Sequence, residues 1–521
     1  MESPLQSRDS EGDGRSDNRW SLWNRLRNSD TFPQTLSLRR TLRRRRKQNL
    51  RYWTSKLRDI MNMEERKWVV QIKEELKRNG ISSVHEKEQW KRHSIYKIPS
   101  RVTALNEKAY KPQAVSFGPY HHGEKHLKDM EDHKHRALLH FLKRCEKPIE
   151  LIFNCVDEVA EELRGSYNPV EQIWMQDRAR FVQMMIVDGC FMLEILRVNN
   201  DGIADEYAEN DPVFGEHGKL NVMPYIKRDM LMLENQLPFT VLRILIEVQN
   251  GRNQGEELVM KEILKFFSPG TPETRTLGKC MHVLDVYRKS LIHQGPTHRT
   301  RVSTPKRRRR LWLSEEEHGN DEIIRSATEL HDAGIRFRKS RTNSLGDVSF
   351  GDGLLRLPTL VVDDTTEYMF LNLIAFERLH AEAGNDVTSY IFFMDTIIDS
   401  EMYVALLHRK GILVNALGSD KAVAKLFNSL SKDIAVDRQG VLDVVRMSLS
   451  NYCKKPWNIW RANLIHTYFR NPWAIVSLVA AVFLFALTIV QTVYTIAQYY
   501  QPPSPNSSSS FLKPSPKSWH P

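Results

Sequence analysis

The sequence predicts a mainly α-helical protein, in which one large helical domain with a small β-sheet precedes a single C-terminal transmembrane helix. Three observations support this fold class. Long stretches between residues 130 and 292 repeat apolar residues with helical periodicity. Short runs rich in Val, Leu and Phe flank the turn Gly351-Asp352-Gly353, which is typical of a hairpin. From residue 471 to residue 512 the chain has no Asp, Glu, Lys or Arg, so it contains an apolar stretch long enough to cross a bilayer.

The N-terminal part, residues 1–60, is predicted to be a disordered basic extension, because its composition is biased towards Ser, Arg and Asp. The stretch 31–58 has ten Lys and Arg and no acidic residue, against a net charge of +12 for the whole chain. Its densest cluster is Arg43, Arg44, Arg45 and Arg46. Such a cluster suits nucleic-acid binding or nuclear import, contact with anionic lipid, or a solvated arm. The membrane helix predicted in the same chain favours lipid over DNA.

The large domain, residues 61–470, is predicted to begin with an amphipathic helix. Its apolar residues from Trp68 to Leu76 lie on one helical face, and Gly80 is placed to end it. Two runs broken by Pro and Gly, IYKIPSRV and KPQAVSFGPYHHG, then suit strands or extended segments.

Helical patterns follow at residues 130–145, 178–198 and 276–292. The second of these is apolar on nearly every side, so we expect it in the middle of a helix bundle. Residues 294–320 interrupt the pattern with a basic segment, PKRRRR, and are predicted to form an exposed insertion.

After the insertion, Ser326 and Glu329 have the spacing of a capping box, and Gly334 is placed to end the helix that they begin. The runs IRFRKS and VSFGDGLLRLPTLVVDD then predict the short strands of the small sheet.

The spacing of the cysteines and the absence of known catalytic motifs limit the classes of protein to which this sequence could belong. The five cysteines are scattered without a C-x-x-C pair, so we interpret them as buried thiols in a reducing compartment. The polar N-terminus does not resemble a secretory signal. The sequence lacks G-x-S-x-G, H-E-x-x-H and G-x-G-x-x-G, so it indicates no familiar enzyme class.

A histidine-rich segment is the main candidate for chemistry. His122 and His126 stand four residues apart and would share a helical face, where they could hold Zn or Fe. However, Gly118 and Gly123 predict a turn, in which His121 and His122 would bond to loop carbonyls. We prefer this structural interpretation and predict no catalytic residue, cofactor or metal, with His122 and His126 as the remaining metal candidates.

A carboxylate pair, Asp363 and Asp364, could serve acid/base or metal chemistry. Asp364 is followed three positions later by Glu367 and then by an apolar helical run. We therefore interpret the pair as the acidic start of a helix, in which a carboxylate caps free amides.

The stretch DMLMLENQLPFTV places three polar residues inside an apolar run. Pro238 should end the preceding helix near Leu233 and lie in the first turn of the next. Glu234, Asn235 and Gln236 can then bond backbone groups exposed at the break. We interpret LENQLPF as a buried joint between packed helices; the alternative is an acid with a raised pKa at Glu234.

Taken in order, these segments resemble the plant family called domain of unknown function 247, or uncharacterised protein family 0481. The resemblance runs from residue 95 to residue 497 and rests on IYKIPSRV, VSFGPYHHG, EDHK, VDGCFMLEIL, LENQLPF, SATELHDAGIRF, LPTLVVDDTTEYMFLNLIAFE and YFRNPWAIVSLVAAVF. It implies a plant single-span membrane protein with one large domain and no established activity. A few relatives are associated with self/non-self recognition in grass pollination, which implies an interaction role. The arginine-rich extension and the basic insertion depart from the family.

The membrane segment is predicted at residues 474–497, and residues 498–521 form a Pro/Ser-rich tail. Trp and Tyr residues on both sides fit the aromatic belts of a bilayer. Ser477 and Ala481 have the spacing of a close helix contact, and with Gln491 they suggest a weak homo-oligomer.

The charges beside the span predict its orientation. Lys454, Lys455, Arg461 and Arg470 precede the span, whereas only Lys513 and Lys517 follow it. Because positive charge stays on the cytoplasmic side, we expect the large domain in the cytosol, at the cell membrane or an endomembrane.

The resulting prediction is a membrane-anchored interaction protein that contacts the bilayer through residues 474–497 and recognises an unknown protein partner. The alternatives are an uncharacterised enzyme that uses the His121/His122 region, and a protein that contacts lipid or nucleic acid through its basic clusters.

Overall fold

The computed structural model describes residues 63–78, 91–104, 106–201, 206–251, 254–268, 277–292, 327–432, 441–464 and 472–500. The chain divides into two compact units, Met1–Glu88 and Gln89–Pro521. In the first unit, helix α1 spans Met63–Arg78, where the sequence predicts an amphipathic helix. The predictions for the basic extension, for Gly80, for the insertion 294–320 and for the C-terminal tail fall outside the described residues.

The N-terminal half of the second unit is a helix bundle. Its helices are α2 (Ser100–Thr103), α3 (Asp129–Cys145), α4 (Ile149–Glu158), α5 (Ala160–Gly165), α6 (Gln172–Gln176), α7 (Arg178–Asp201), α8 (Glu216–Asn221), α9 (Met223–Asp229), α10 (Phe239–Asn250), α11 (Gly255–Phe267) and α12 (Val283–Ile292). Short 3₁₀ turns occupy Glu107–Ala109 and Lys125–Leu127. Strands β1 (Ile95–Tyr96) and β2 (Tyr167–Asn168) pair in parallel across the bundle.

Helix α7 is the centre of this bundle. It packs against α3, α4, α10 and α11. Phe181, Met185, Phe191 and Ile195 along it have no exposed surface. The expectation that the apolar pattern at 178–198 lies inside a bundle is confirmed.

Gly189 explains how closely α7 and α10 approach each other. A Cβ at this position would lie 2.6 Å from Cδ1 of Leu245 and 3.0 Å from Cγ1 of Val241. Any larger residue would push the two helices apart, because interiors are packed at near-crystalline density.

The pattern at 276–292 is helical only from Val283 onwards, so the predicted start is wrong. The preceding residues bond to other elements instead. The Met281 carbonyl accepts a hydrogen bond from Phe239 N at 2.7 Å, and Nδ1 of His282 accepts one from Asp285 N at 3.2 Å. With these contacts, Met281 and His282 precede α12 and do not form a further helical turn, and His282 accepts from an amide in the first turn of α12.

The C-terminal half combines helices with short strands. The helices are α13 (Ala327–Asp332), α14 (Thr366–Leu379), α15 (Asp386–Ile397), α16 (Glu401–Arg409), α17 (Asp420–Leu430), α18 (Val441–Cys453), α19 (Pro456–Leu464) and α20 (Pro472–Tyr500). The strands are β3 (Arg336–Lys339), β4 (Ser349–Gly351), β5 (Leu354–Leu357), β6 (Leu360–Val362) and β7 (Leu413–Asn415). Helices α14, α15 and α17 pack together.

The predicted small sheet is present around the predicted turn. Strand β5 lies between β3, to which it is parallel, and β4, to which it is antiparallel. Asp352 and Gly353 close the β4–β5 hairpin with φ angles of 50° and 70°. Strands β6 and β7 form a separate parallel pair. The mainly helical fold class with a small sheet is therefore confirmed.

Helix α20 is long and apolar enough to cross a membrane, and within the described part of the chain it is the one such helix. Its membrane-length part, Ile475–Tyr500, is 26 residues long and has no buried residue. Three of its threonine hydroxyls donate to carbonyls one turn back, as in Thr492 to Thr488 at 2.7 Å. Polar side chains satisfied in this way are compatible with a lipid environment.

Candidate functional site

The joint segment, LENQLPF at residues 233–239, lies in the connection between α9 and α10, and its last residue, Phe239, is the first residue of α10. Helix α9 ends at Asp229, earlier than predicted, and Pro238 is the N-cap residue of α10 rather than part of its first turn. The three polar side chains of the segment are buried, and all of them bond within the protein: Glu234, Asn235 and Gln236. The segment is thus a buried joint, and its partners define the candidate site.

Asn235 bonds to an extended stretch more than a hundred residues earlier in the chain. Its Oδ1 accepts from Phe117 N at 2.7 Å. Its Nδ2 donates to the carbonyls of Val115 and Asp229, both at 3.0 Å. The Asn235 side chain therefore pairs with the backbone of residues 115–117 as a neighbouring β-strand would. It satisfies backbone groups that are buried away from water.

Gln236 ties the joint to itself and to α12. Its Nε2 donates to the carbonyls of Met230 and Met232 at 2.7 and 2.8 Å. Its Oε1 accepts from Leu284 N at 3.0 Å, which satisfies one of the free amides at the start of α12. One side chain thereby closes a turn and caps a helix.

Glu234 faces His121. Its Oε1 accepts from Ile98 N at 2.6 Å, while its Oε2 lies 3.4 Å from Nε2 of His121, too far for a well-formed hydrogen bond. Nδ1 of His121 lies 2.7 Å from Oε1 of Glu124. Burial alone would lower the pKa of His121, but the two flanking carboxylates outweigh burial and raise it.

A buried ion pair lies under the same loop. Nζ of Lys134 is 2.7 Å from Oδ1 of Asp188, and both side chains are almost completely buried. Oδ2 of Asp188 accepts from Gly118 N at 2.8 Å, and Lys134 also bonds to Ser116 and Glu131. Burial raises the pKa of Asp188, against the lowering effect of the Lys134 ammonium group. The pair is hydrogen-bonded on both sides, as a buried charge pair must be.

Gly118 is required where the loop turns. Its φ is +74°, and a Cβ would lie 2.7 Å from the Tyr167 hydroxyl and 2.9 Å from the Gln236 carbonyl. Only glycine accepts both the left-handed backbone and this close approach.

Asp229 anchors the beginning of the loop. Its Oδ2 accepts three backbone hydrogen bonds, from Gln113, Ala114 and Val115, at 2.9, 2.6 and 3.1 Å. Its Oδ1 is buried without a partner among the described residues. Burial raises the pKa of Asp229 to about 6, against the lowering effect of the three amides.

Two further polar contacts extend this arrangement to α14. Asn372 accepts from Leu233 N at 3.0 Å and donates to the Ala109 carbonyl at 2.8 Å. Glu377 accepts from Arg288 and also from the amides of Val387 and Thr388 at the start of α15. Segments that are far apart in sequence are therefore held together through buried side chains.

The two metal candidates face different neighbours. The ring of His122 packs edge-on against Trp174, with centroids 5.3 Å apart. Nε2 of His126 lies 3.0 Å from the Pro112 carbonyl, and His126 belongs to a 3₁₀ turn rather than to an α-helix shared with His122. Among the residues that the structure describes, no three or more His, Cys, Asp or Glu side chains are grouped as a metal site.

Asp363 of the carboxylate pair holds the turn that leads into α14. Its Oδ1 accepts from the amide and hydroxyl of Thr365 and from the hydroxyl of Thr366. The prediction that Asp364 supplies a carboxylate cap is wrong, because the N-cap residue of α14 is Thr365, which has no side-chain cap hydrogen bond.

The sequence did not identify the buried charges Lys134, Asp188, Asp229, Arg288 and Glu377 as a group. The one sequence feature that indicates a buried charge is a charged residue in the apolar part of a helical pattern. Asp188 within VDGCFMLEIL is an example. What these residues do chemically is to satisfy backbone amides and one another, so the site is an internal scaffold. Asp229 Oδ1, His121 Nε2 and His122 Nδ1 are its buried polar atoms without hydrogen bonds.

Comparisons with known proteins match most of this chain. The family model described as plant protein of unknown function, domain of unknown function 247, matches residues 95–487. A relative from Arabidopsis thaliana, UPF0481 protein At3g47200, is 32% identical over 425 residues, which covers 78% of this chain and 86% of the relative.

A second Arabidopsis thaliana relative, putative UPF0481 protein At3g02645, is 22% identical over 521 residues, covering 82% of this chain and 94% of the relative. No solved structure matches the chain. The family model spans most of the chain and confirms the resemblance. The protein therefore belongs to the plant family of unknown function named domain of unknown function 247.

Proposed function

We propose that the protein is a membrane-anchored recognition component, in which the helical domain binds a protein partner and α20 holds it at a bilayer. The observation that supports this proposal is a difference in burial between the polar residues of the helical domain and the apolar residues of α20. The polar residues of the domain's motifs turn inward and bond to its own backbone, whereas α20 has no buried residue. A domain whose polar motif residues bond internally, together with an exposed apolar helix, suits binding at a membrane better than turnover.

The residues before α20 support contact with the membrane surface. Trp457 and Trp460 on α19 are exposed, and their ring centroids are 5.3 Å apart. Lys454 and Lys455 precede them. Exposed tryptophans beside basic residues are favoured at the headgroup level of a bilayer.

Membrane anchoring can be tested by alkaline extraction of membranes that contain the full-length chain. We expect the chain to stay in the membrane pellet. The double variant Phe483→Arg and Leu487→Arg should move to the soluble fraction, because each charge near the centre of a span costs about 3 kcal/mol. A matched control, Trp457→Arg, lies outside the span and should stay in the pellet. A wild-type chain that is extracted would contradict the anchor.

The partner can be sought by proximity labelling with the full-length chain. The control is the same labelling enzyme fused to residues 465–521, which separates neighbours of the domain from other proteins of the same membrane. We expect a reproducible set of proteins labelled by the full chain alone. Identical sets for the two fusions would argue against recognition by the domain.

The orientation and the remaining contacts are parts of the same proposal. The charge difference around the span supports an orientation with the domain in the cytosol. Arg43 to Arg46 would add anionic lipid contact, and Ser477 with Ala481 would allow weak self-association in the membrane.

The enzyme alternative keeps one supporting observation. His121 lies between Glu124 and Glu234, and its Nε2 is buried without a hydrogen bond. Metal analysis of the purified full-length chain discriminates between the two functions. We expect no stoichiometric Zn or Fe; metal at one per chain that is lost in His122→Ala would favour the enzyme.

A further inference from the structure

A half-open cavity of about 550 Å³ lies on the domain. Most of its walls come from the ends of α7 and α11, from α8, α9 and α12, and from the first turns of α14. Leu231, Asp363 and Thr365 line it from the segments that connect these helices. Its volume is in the range of sites for small molecules.

Basic side chains outnumber acidic ones on the cavity wall. Of the described residues that line it, four are basic, Lys219, Lys227, Arg228 and Lys265, and one is acidic, Asp363. Lys219 has a counter-ion, since its Nζ lies 3.0 Å from Glu216. The Oδ1 of Asp363 already accepts hydrogen bonds from Thr365 and Thr366. The wall therefore carries an excess of positive charge.

Lys227 and Arg228 are half-buried cations that the structure pairs with carbonyls and rings. Nζ of Lys227 donates to the Phe266 carbonyl at 2.9 Å and lies 5.0 and 5.5 Å from the ring centroids of Phe266 and Phe267. The guanidinium of Arg228 lies 3.7 Å from the ring centroid of Tyr368, donates through Nη2 to the Lys108 carbonyl and leaves Nε buried without a partner.

The charge on Lys227 is costly in this position. Burial lowers the pKa of Lys227, and the more distant Asp363 opposes that effect without forming an ion pair with it. The ammonium group has three donors, of which the described residues occupy one. An anion in the cavity would satisfy the other donors and offset the burial of the charge.

Next to these cations the cavity wall is apolar and aromatic. Phe267 and Tyr287 lie in contact, with ring centroids 5.6 Å apart, and Met223, Leu231 and Met369 complete this side. Flat apolar groups pack well against such rings. The cavity thus combines a cationic wall with an aromatic one.

We propose that this cavity binds a small organic anion, in which an acidic group held by Lys227 and Arg228 is joined to a flat apolar part that packs on Phe267 and Tyr287. This site is independent of the membrane anchor and of the protein partner proposed above. It would make the domain a ligand-responsive one.

The test uses the full-length chain in nanodiscs of phosphatidylcholine, with naphthalene-2-sulfonate as the probe and empty nanodiscs as the blank. Isothermal titration should give saturable binding of one probe per chain. Naphthalene-2-methanol, which lacks the charge, and inorganic sulfate, which lacks the ring, should each bind at least about tenfold more weakly, equivalent to about 1.4 kcal/mol.

Variants locate the binding. Lys227→Met should weaken probe binding at least about tenfold. Lys227→Gln keeps a donor for the Phe266 carbonyl and should weaken it similarly while it preserves the fold, as judged by melting temperature. Lys425→Met removes an exposed lysine of α17 that does not line the cavity, and binding should not change. Absence of saturable binding, or equal affinity in the Lys227 and Lys425 variants, would overturn the proposal.

Discussion

Replacing Asn235 with alanine should destabilise the domain strongly. The side chain has no exposed surface and makes hydrogen bonds to Phe117 N and to the carbonyls of Val115 and Asp229. Asn235→Ala removes all three bonds at once and leaves one amide and two carbonyls without their partner in a region shut off from water.

The magnitude follows from the number of groups left unpaired. A buried group that loses its hydrogen bond costs about 1–3 kcal/mol, so three groups set an upper range of about 3–9 kcal/mol. A water molecule that enters the vacated space would recover part of this cost. We therefore expect a loss near the lower limit, about 3 kcal/mol.

The assay is thermal unfolding of the full-length chain in mild detergent, followed by circular dichroism. For a domain of this size we expect a drop in melting temperature of about 6 °C, since 1 kcal/mol corresponds to about 2 °C. The matched control is Asn221→Ala at the end of α8, where an exposed amide donates to the His217 carbonyl. This control should change stability by less than about 0.5 kcal/mol. A loss in Asn235→Ala no larger than in the control would refute the structural role of the joint.

Three further changes test other parts of the structure. Because burial raises the pKa of Asp229 from 3.8 to about 6, its contribution to stability is present below pH 3.8 and is lost as the pH rises to about 6. Asp229→Asn should therefore gain about 2 kcal/mol relative to wild type between pH 4 and pH 7 in urea unfolding, and an equal difference at both pH values would contradict this. Glu234→Ala should cost about 1–3 kcal/mol by unpairing Ile98 N, and Glu234→Gln, which keeps the acceptor, should cost less. A glycosylation sequon added well beyond Pro521 should be modified if the domain is cytosolic. An unmodified tail, together with a domain that is protected from protease in sealed vesicles, would show the opposite orientation.

Local patterns were sufficient to predict three elements of the fold. The all-apolar stretch at 178–198 indicated a central helix, and α7 is one, because a helix without a polar face must be surrounded by other helices. Gly351-Asp352-Gly353 indicated a hairpin, since its backbone requirement is set by three adjacent residues. The membrane-length helix followed in the same way from composition alone.

Element boundaries were less predictable. Helix α12 starts at Val283, where a distant side chain bonds its first turn, and α9 ends at Asp229, whose carbonyl accepts from Asn235 six residues later. Gln236, 48 residues before Leu284, supplies the acceptor at the start of α12. A sequence pattern within α12 contains no sign of that partner.

The sequence by itself determined that LENQLPF lies between two helices, because Pro238 disfavours helical backbone at Leu237 and directly precedes α10. Only the tertiary structure decided which groups its polar residues satisfy, since Asn235 and Phe117 are 118 residues apart. The same holds for Lys134 and Asp188, which are 54 residues apart, and for the cavity beside Lys227, whose walls come from several helices. The physical reason is that helical periodicity and turn chemistry act over a few residues, whereas burial and pairing of charges depend on which segments pack together.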